Sequence, residues 1–172
     1  MMKMVMMISS ESTCNQQLDL AVTTGIRHIG IGVYSSGKIY EYLVRKGFEP
    51  HIAHTAVKEL VERKYIDDLR AGRKVLYNRS GRKQESRSLL YKRLLQAGIA
   101  EDKADELITR TRDDNETCLD LVKAAYPVIP DEVLEGDAYE FIEELMKLCA
   151  RRGYNPSVSK NAISNWIQTN YE

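Results

Sequence analysis

The chain has 172 residues, 29% of them charged, and its 25 basic and 25 acidic side chains cancel. It is long for one small domain and short for two ordinary ones, and with only four prolines it is neither collagen-like nor broadly disordered. No stretch approaches the roughly 20 apolar residues of a membrane span. Cys14, Cys118 and Cys149 have no metal-ligand spacing and fit a reducing compartment, the cytoplasm.

The Met-rich start is too short for the apolar core of an export signal, so residues 1–17 are expected to be a flexible tail. Leu18 to Tyr34 reads as a helix weakened by Gly25, Gly30 and Gly32. Ser35 and Ser36 are N-cap candidates for a helix carrying Ile39, Tyr42 and Leu43. Gly47 stands where that helix should end, and Pro50 where the next should begin. Ile52, Ala56, Val57, Leu60 and Val61 then form one apolar face. Asp67-Asp68 opens a helix with Ala71, Val75 and Leu76. Leu89, Leu90, Leu94 and Leu95 form another, ending at Gly98, and Ala104, Leu107 and Ile108 a third. Asp113-Asp114 opens a helix with Leu119, Val122 and Ala125. An insertion from Tyr126 to Gly136 holds Pro127 and Pro130. Helices from Asp137 to Arg152 and from Pro156 onward complete the chain, the last with Val158, Ala162, Ile163 and Trp166.

A motif recurs along this series. Gly47-Phe48-x-Pro50 with Ala56-Val57 matches Gly153-Tyr154-x-Pro156 with Ala162-Ile163 at the same offsets. Gly98-Ile99 with Ala104 and Leu107 is a weaker middle copy. Such a period marks a repeated supersecondary unit. The expected fold is all-α, three tandem repeats of three-helix units, elongated and curved. The repeats span 18–64, 65–112 and 113–172.

Charge is distributed unevenly over these repeats. From Arg70 to Arg93 nine basic residues face one acid, Glu85. From Glu101 to Leu148 fifteen acids face five bases. The second repeat is therefore basic and the third acidic. Arg73, Lys74, Arg79, Arg82, Lys83, Arg87, Lys92 and Arg93 are the candidate partner- or DNA-binding residues, because cations at this density neutralise phosphates. Tyr77 and Tyr91 are placed to stack bases or to pack. The acidic repeat is expected to avoid phosphate and to meet basic loops of a protein.

Several elements together resemble the RecX family, bacterial regulators of the recombinase RecA. They are Leu43-x-x-x-Gly47-Phe48, Ala56-Val57-x-x-Leu60, Lys64-Tyr65-Ile66-Asp67-Asp68-x-x-Ala71 and Leu94-x-x-x-Gly98-Ile99. The resemblance runs from about Leu18 to Trp166, and the Tyr-Ile-Asp-Asp segment is its most specific part. It implies an all-helical repeat protein that lies in the groove of the RecA filament on single-stranded DNA. Such a protein restrains RecA's ATPase, strand exchange and coprotease activities in recombination, DNA repair and the SOS response. It implies a monomer without enzymatic activity or cofactor, with direct DNA contact possible. Arg70 departs from the aromatic residue usual at that place.

Other chemistry has weaker support. Asp67-Asp68 and Asp113-Asp114 read as helix caps rather than a catalytic or metal-binding carboxylate pair. His51 and His54 share a helix face but lack further metal ligands nearby. There is no phosphate-loop, dinucleotide, zinc-protease or serine-hydrolase motif, so neither catalytic nor metal residues are assigned. The rival reading is a stand-alone helical DNA-binding protein or transcriptional regulator, since three-helix units resemble helix-turn-helix domains in outline.

Overall fold

The computed structural model describes residues 2–130 and 138–171, with side chains over 14–130 and 138–169. Among these there are nine α-helices and no strand. They are α1 (Met2–Ile29), α2 (Ser36–Arg45), α3 (Pro50–Glu62), α4 (Asp68–Tyr77), α5 (Arg87–Gln96), α6 (Glu101–Thr109), α7 (Asp114–Ala125), α8 (Tyr139–Arg151) and α9 (Pro156–Tyr171). A short 3₁₀ turn covers Gly81–Lys83. The all-helical expectation therefore holds. The expected tail does not: the chain is helical from Met2. Nothing between Met2 and Gly25 breaks a helix, because neither proline nor glycine occurs there. The part of the insertion at 131–137, and the expected helix start at Asp137, lie outside the described residues.

The chain divides into two compact units. One comprises Met1–Gly72 with Leu95–Ala104, the other Arg73–Leu94 with Asp105–Glu172. The division expected at 64/65 and 112/113 follows the motif; compactness divides the chain within α4, α5 and α6.

In the first unit α1 packs on α3 and α2. Its core is Ala21, Val22 and Ile29 of α1, Ile39 and Leu43 of α2, Ile52, Ala53, Ala56, Val57 and Leu60 of α3, and Ile66. Each fully buried Leu or Ile here stabilises by roughly 1.5–3 kcal/mol. Gly25 permits the α1–α3 crossing, because a Cβ there would stand 2.7 Å from Leu60 Cδ1.

In the second unit α9 packs on α7 and α8. Cys118, Leu121, Val122, Ile129, Leu145, Cys149, Tyr154, Ala162, Ile163 and Trp166 form the core. Trp166 is 1% exposed and lies 6.0 Å from Phe141, which meets Tyr126 edge-on at 4.9 Å.

Two junctions of the same kind hold helix ends together, one in each unit. In the first, Ser35 caps α2 by accepting from Lys38 N and donates to Ala97 O at the end of α5. Gly37 N donates to Gly98 O at 2.9 Å. In the second, Ser86 accepts from Leu89 N, and its own N–H donates to Arg152 O, at the end of α8, at 3.0 Å. The aspartate pairs complete both. Asp67 and Asp113 cap α4 and α7, as expected. Their neighbours reach further: Asp68 accepts from Ser36 N at 2.7 Å, Ser36 Oγ at 2.6 Å and Ala100 N at 3.4 Å, and Asp114 accepts from Arg87 N at 2.8 Å. Each carboxylate thus meets backbone N–H groups left unpaired at a neighbouring helix N-terminus, where negative charge is favoured.

Gly47, Gly98 and Gly153 all have positive φ (92°, 75° and 83°). After α2 and α8 the backbone closes in the same way. Phe48 N donates to Leu43 O at 3.2 Å and Gly47 N to Val44 O at 3.0 Å; Tyr154 N donates to Cys149 O at 3.1 Å and Gly153 N to Ala150 O at 3.0 Å. This paired closure requires a left-handed residue at the glycine position.

Candidate nucleic-acid interface

All eight sequence-predicted cations lie in the second unit, but they separate into two kinds. Arg79, Arg87 and Arg93 are half-buried and held by the protein itself. Glu85, the single acid of the basic run, is 2% exposed. Arg93 meets it with Nε at 3.3 Å and Nη2 at 3.2 Å, and Arg79 Nη1 stands at 3.8 Å. A buried carboxylate needs such partners, because leaving it unpaired costs several kcal/mol. Arg87 donates from Nε to Arg112 O at 3.1 Å and from Nη2 to Thr111 O, tying down the loop after α6. These three arginines are structural. Arg79 and Arg87 line a cleft of about 290 Å³ with Arg110 and Arg112, which are themselves paired with Glu106 and with Glu116 and Asp120.

The others face solvent. Arg73 and Lys74 lie on α4, Lys83 in the 3₁₀ turn and Lys92 on α5, all exposed and with no side-chain hydrogen bond or ion pair among the described residues. Tyr77, at the end of α4, is 82% exposed, whereas Tyr91 is half-buried. Base stacking is therefore open to Tyr77.

Arg82 belongs to a cleft that the sequence did not reveal. Its Nε donates to Ala124 O at 2.8 Å, at the end of α7, and its carbonyl accepts from Arg152 Nη2 at 2.9 Å. The cleft, about 490 Å³, is lined by Arg82, Lys147, Arg151 and Arg152 with one carboxylate, Glu144, and by Tyr126. Four cations against one acid leave three positive charges. Lys147 and Arg151 are exposed, and Lys147 also pairs with Glu143 at 2.7 Å. Three of these cations come from the segment expected to be acidic and to avoid phosphate. That segment's acids outnumber its bases, but the bases collect at the end of α8. The signal was the i, i+4 spacing of Lys147 and Arg151, which puts both on one helix face.

The first unit carries a different surface. A groove of about 760 Å³ is lined by exposed Tyr34, Val61 and Tyr65 beside Lys58, Lys64, Arg70 and Lys103, with Glu62, Asp67, Asp68 and Asp102 opposing them in equal number. The Tyr65-Ile66-Asp67-Asp68 segment that carries the family resemblance forms part of its wall. His51 and His54 are both exposed on α3. Among the described residues no group of three or more His, Cys, Asp or Glu side chains is placed to hold a metal ion, and no helix is long and apolar enough to cross a membrane.

No protein-family model matches this chain, and no curated protein matches it either.

Proposed function

We propose that this chain is a RecX-like regulator that binds the RecA filament on single-stranded DNA as a monomer and restrains RecA's ATPase, strand-exchange and coprotease activities. The observation that carries the nucleic-acid part is the cation set of the second unit: exposed Arg73, Lys74, Lys83 and Lys92, and the cleft of Arg82, Lys147, Arg151 and Arg152. Cations of this density suit a phosphate backbone, and exposed Tyr77 suits an unpaired base. The charge-balanced groove of the first unit, with its exposed tyrosines, suits a protein surface instead. A protein–DNA filament offers both partners at once. The recurring helix junctions and glycine closures support a reading as tandem three-helix repeats.

The test is ATP hydrolysis by RecA on single-stranded DNA, titrated with this protein. Suppression at amounts well below RecA is expected. Unchanged hydrolysis with a folded protein would move the weight to a stand-alone DNA-binding role, for which sequence preference and dimerisation are the marks.

A further inference from the structure

The second unit holds a pair of thiols that the proposed function does not use. Cys118 lies on α7 and Cys149 on α8, 31 residues apart in sequence. Both are fully buried, and their sulfurs stand 3.6 Å apart, with the Cys118 S–H donating to Cys149. That is van der Waals contact, and a disulfide of about 2.05 Å needs the sulfurs to approach by roughly 1.6 Å more. This proximity is not legible in the sequence, because neither spacing nor motif relates the two positions. Cys14, the third cysteine, is exposed on α1.

We propose that Cys118 and Cys149 form an oxidisable dithiol that a small hydroperoxide converts to an intramolecular disulfide linking α7 to α8. The hydrogen bond assigns the roles. Accepting from Cys118 holds the Cys149 thiol below its ordinary range, whereas donating, and then burial, pushes Cys118 up. Cys149 is therefore the attacking thiolate. Its sulfur takes the distal peroxide oxygen: an S–O bond forms, the O–O bond breaks, and the alcohol, or water from hydrogen peroxide, leaves with a proton. The Cys118 sulfur then attacks the sulfenic sulfur. The S–S bond forms, the S–O bond breaks, and water leaves with the Cys118 proton. Two electrons pass from the thiols to the peroxide. Burial selects the oxidant, because a buried thiol is more accessible to a molecule as small as hydrogen peroxide than to a bulky disulfide such as oxidised glutathione. Exposed Cys14 is open to both oxidants.

The test uses the full chain carrying Cys14→Ser, treated with hydrogen peroxide and, separately, with oxidised glutathione. Mass spectrometry of non-reduced peptides and thiol counting after denaturation read the product. Peroxide is expected to join the Cys118 and Cys149 peptides, remove both thiols reversibly by dithiothreitol, and raise the melting temperature. Oxidised glutathione is expected to leave both thiols free. In a Cys118→Ser background, Cys149 should stop at a sulfenic acid that a dimedone reagent captures, whereas in Cys149→Ser the Cys118 thiol should stay unlabelled. Sulfinic acid on either cysteine in place of the cross-link, thiols that survive peroxide, or glutathionylation at the peroxide rate would each overturn the proposal.

Discussion

Glu85 is the buried carboxylate on which Arg79 and Arg93 converge. Glu85→Ala should therefore lower stability by about 2 kcal/mol in chemical denaturation, less than for a fully buried pair because both arginines are about a third exposed. Tyr154 presents the reverse case. Its hydroxyl is buried without a hydrogen-bond partner among the described residues. Burial accordingly pushes the phenol up. Tyr154→Phe places there the aromatic residue found at Phe48, and should raise stability by about 1 kcal/mol. Asp113 gives a pH prediction. The Glu116 N–H, foremost, and the Asn115 N–H hold its carboxyl below the usual range. A folded pKa below the unfolded one gives stability that is present above the unfolded value and lost as pH falls through the folded one. The melting-temperature gap between wild type and Asp113→Ala should therefore shrink as pH drops below about 4.

Helices and their ends were largely legible. Ser35, Pro50, Asp67, Asp113 and the three motif glycines stand at caps and closures because capping uses partners within a few residues, which a linear reading can see. The longer reach of Asp68 and Asp114 was hidden, since it depends on helix ends 32 and 27 residues away. The start of α1 is hidden for another reason: a Met-rich opening reads as a tail, although it holds neither proline nor glycine. Gly37 is the most instructive hidden residue. It sits in the first turn of α2 with no special φ, yet a Cβ there would stand 2.7 Å from Gly98 O. Gly37→Ala should cost about 2–3 kcal/mol, because the obstacle is backbone and the Gly37–Gly98 hydrogen bond is disturbed as well. Gly47→Ala is the control: its φ is 92° but its surroundings are open, so only the conformational cost of about 1 kcal/mol remains. Urea denaturation of both variants gives the comparison.

At the scale of the whole molecule, sequence counting placed the positive charge in one run and the negative charge in the next. Folding regroups them. Arg79, Arg87 and Arg93 turn inward, and Lys147, Arg151 and Arg152 join Arg82. Reversing Arg82, Lys147 and Arg151 to Glu should weaken nucleic-acid binding without loss of helicity by circular dichroism. At about 0.7 per phosphate contact on a single strand, the slope of log affinity against log salt should flatten by about 2. Arg79 is left out of that variant because a second carboxylate beside Glu85 would unfold the site it tests.

The proposed partner is a protein–DNA filament rather than DNA alone. The most direct test is binding of the fluorescently labelled chain, at physiological salt, to single-stranded DNA with and without RecA held on it by a slowly hydrolysed ATP analogue. Affinity at least tenfold tighter for the filament is expected, with little preference for DNA sequence. Equal affinity for bare DNA and filament would contradict the proposal.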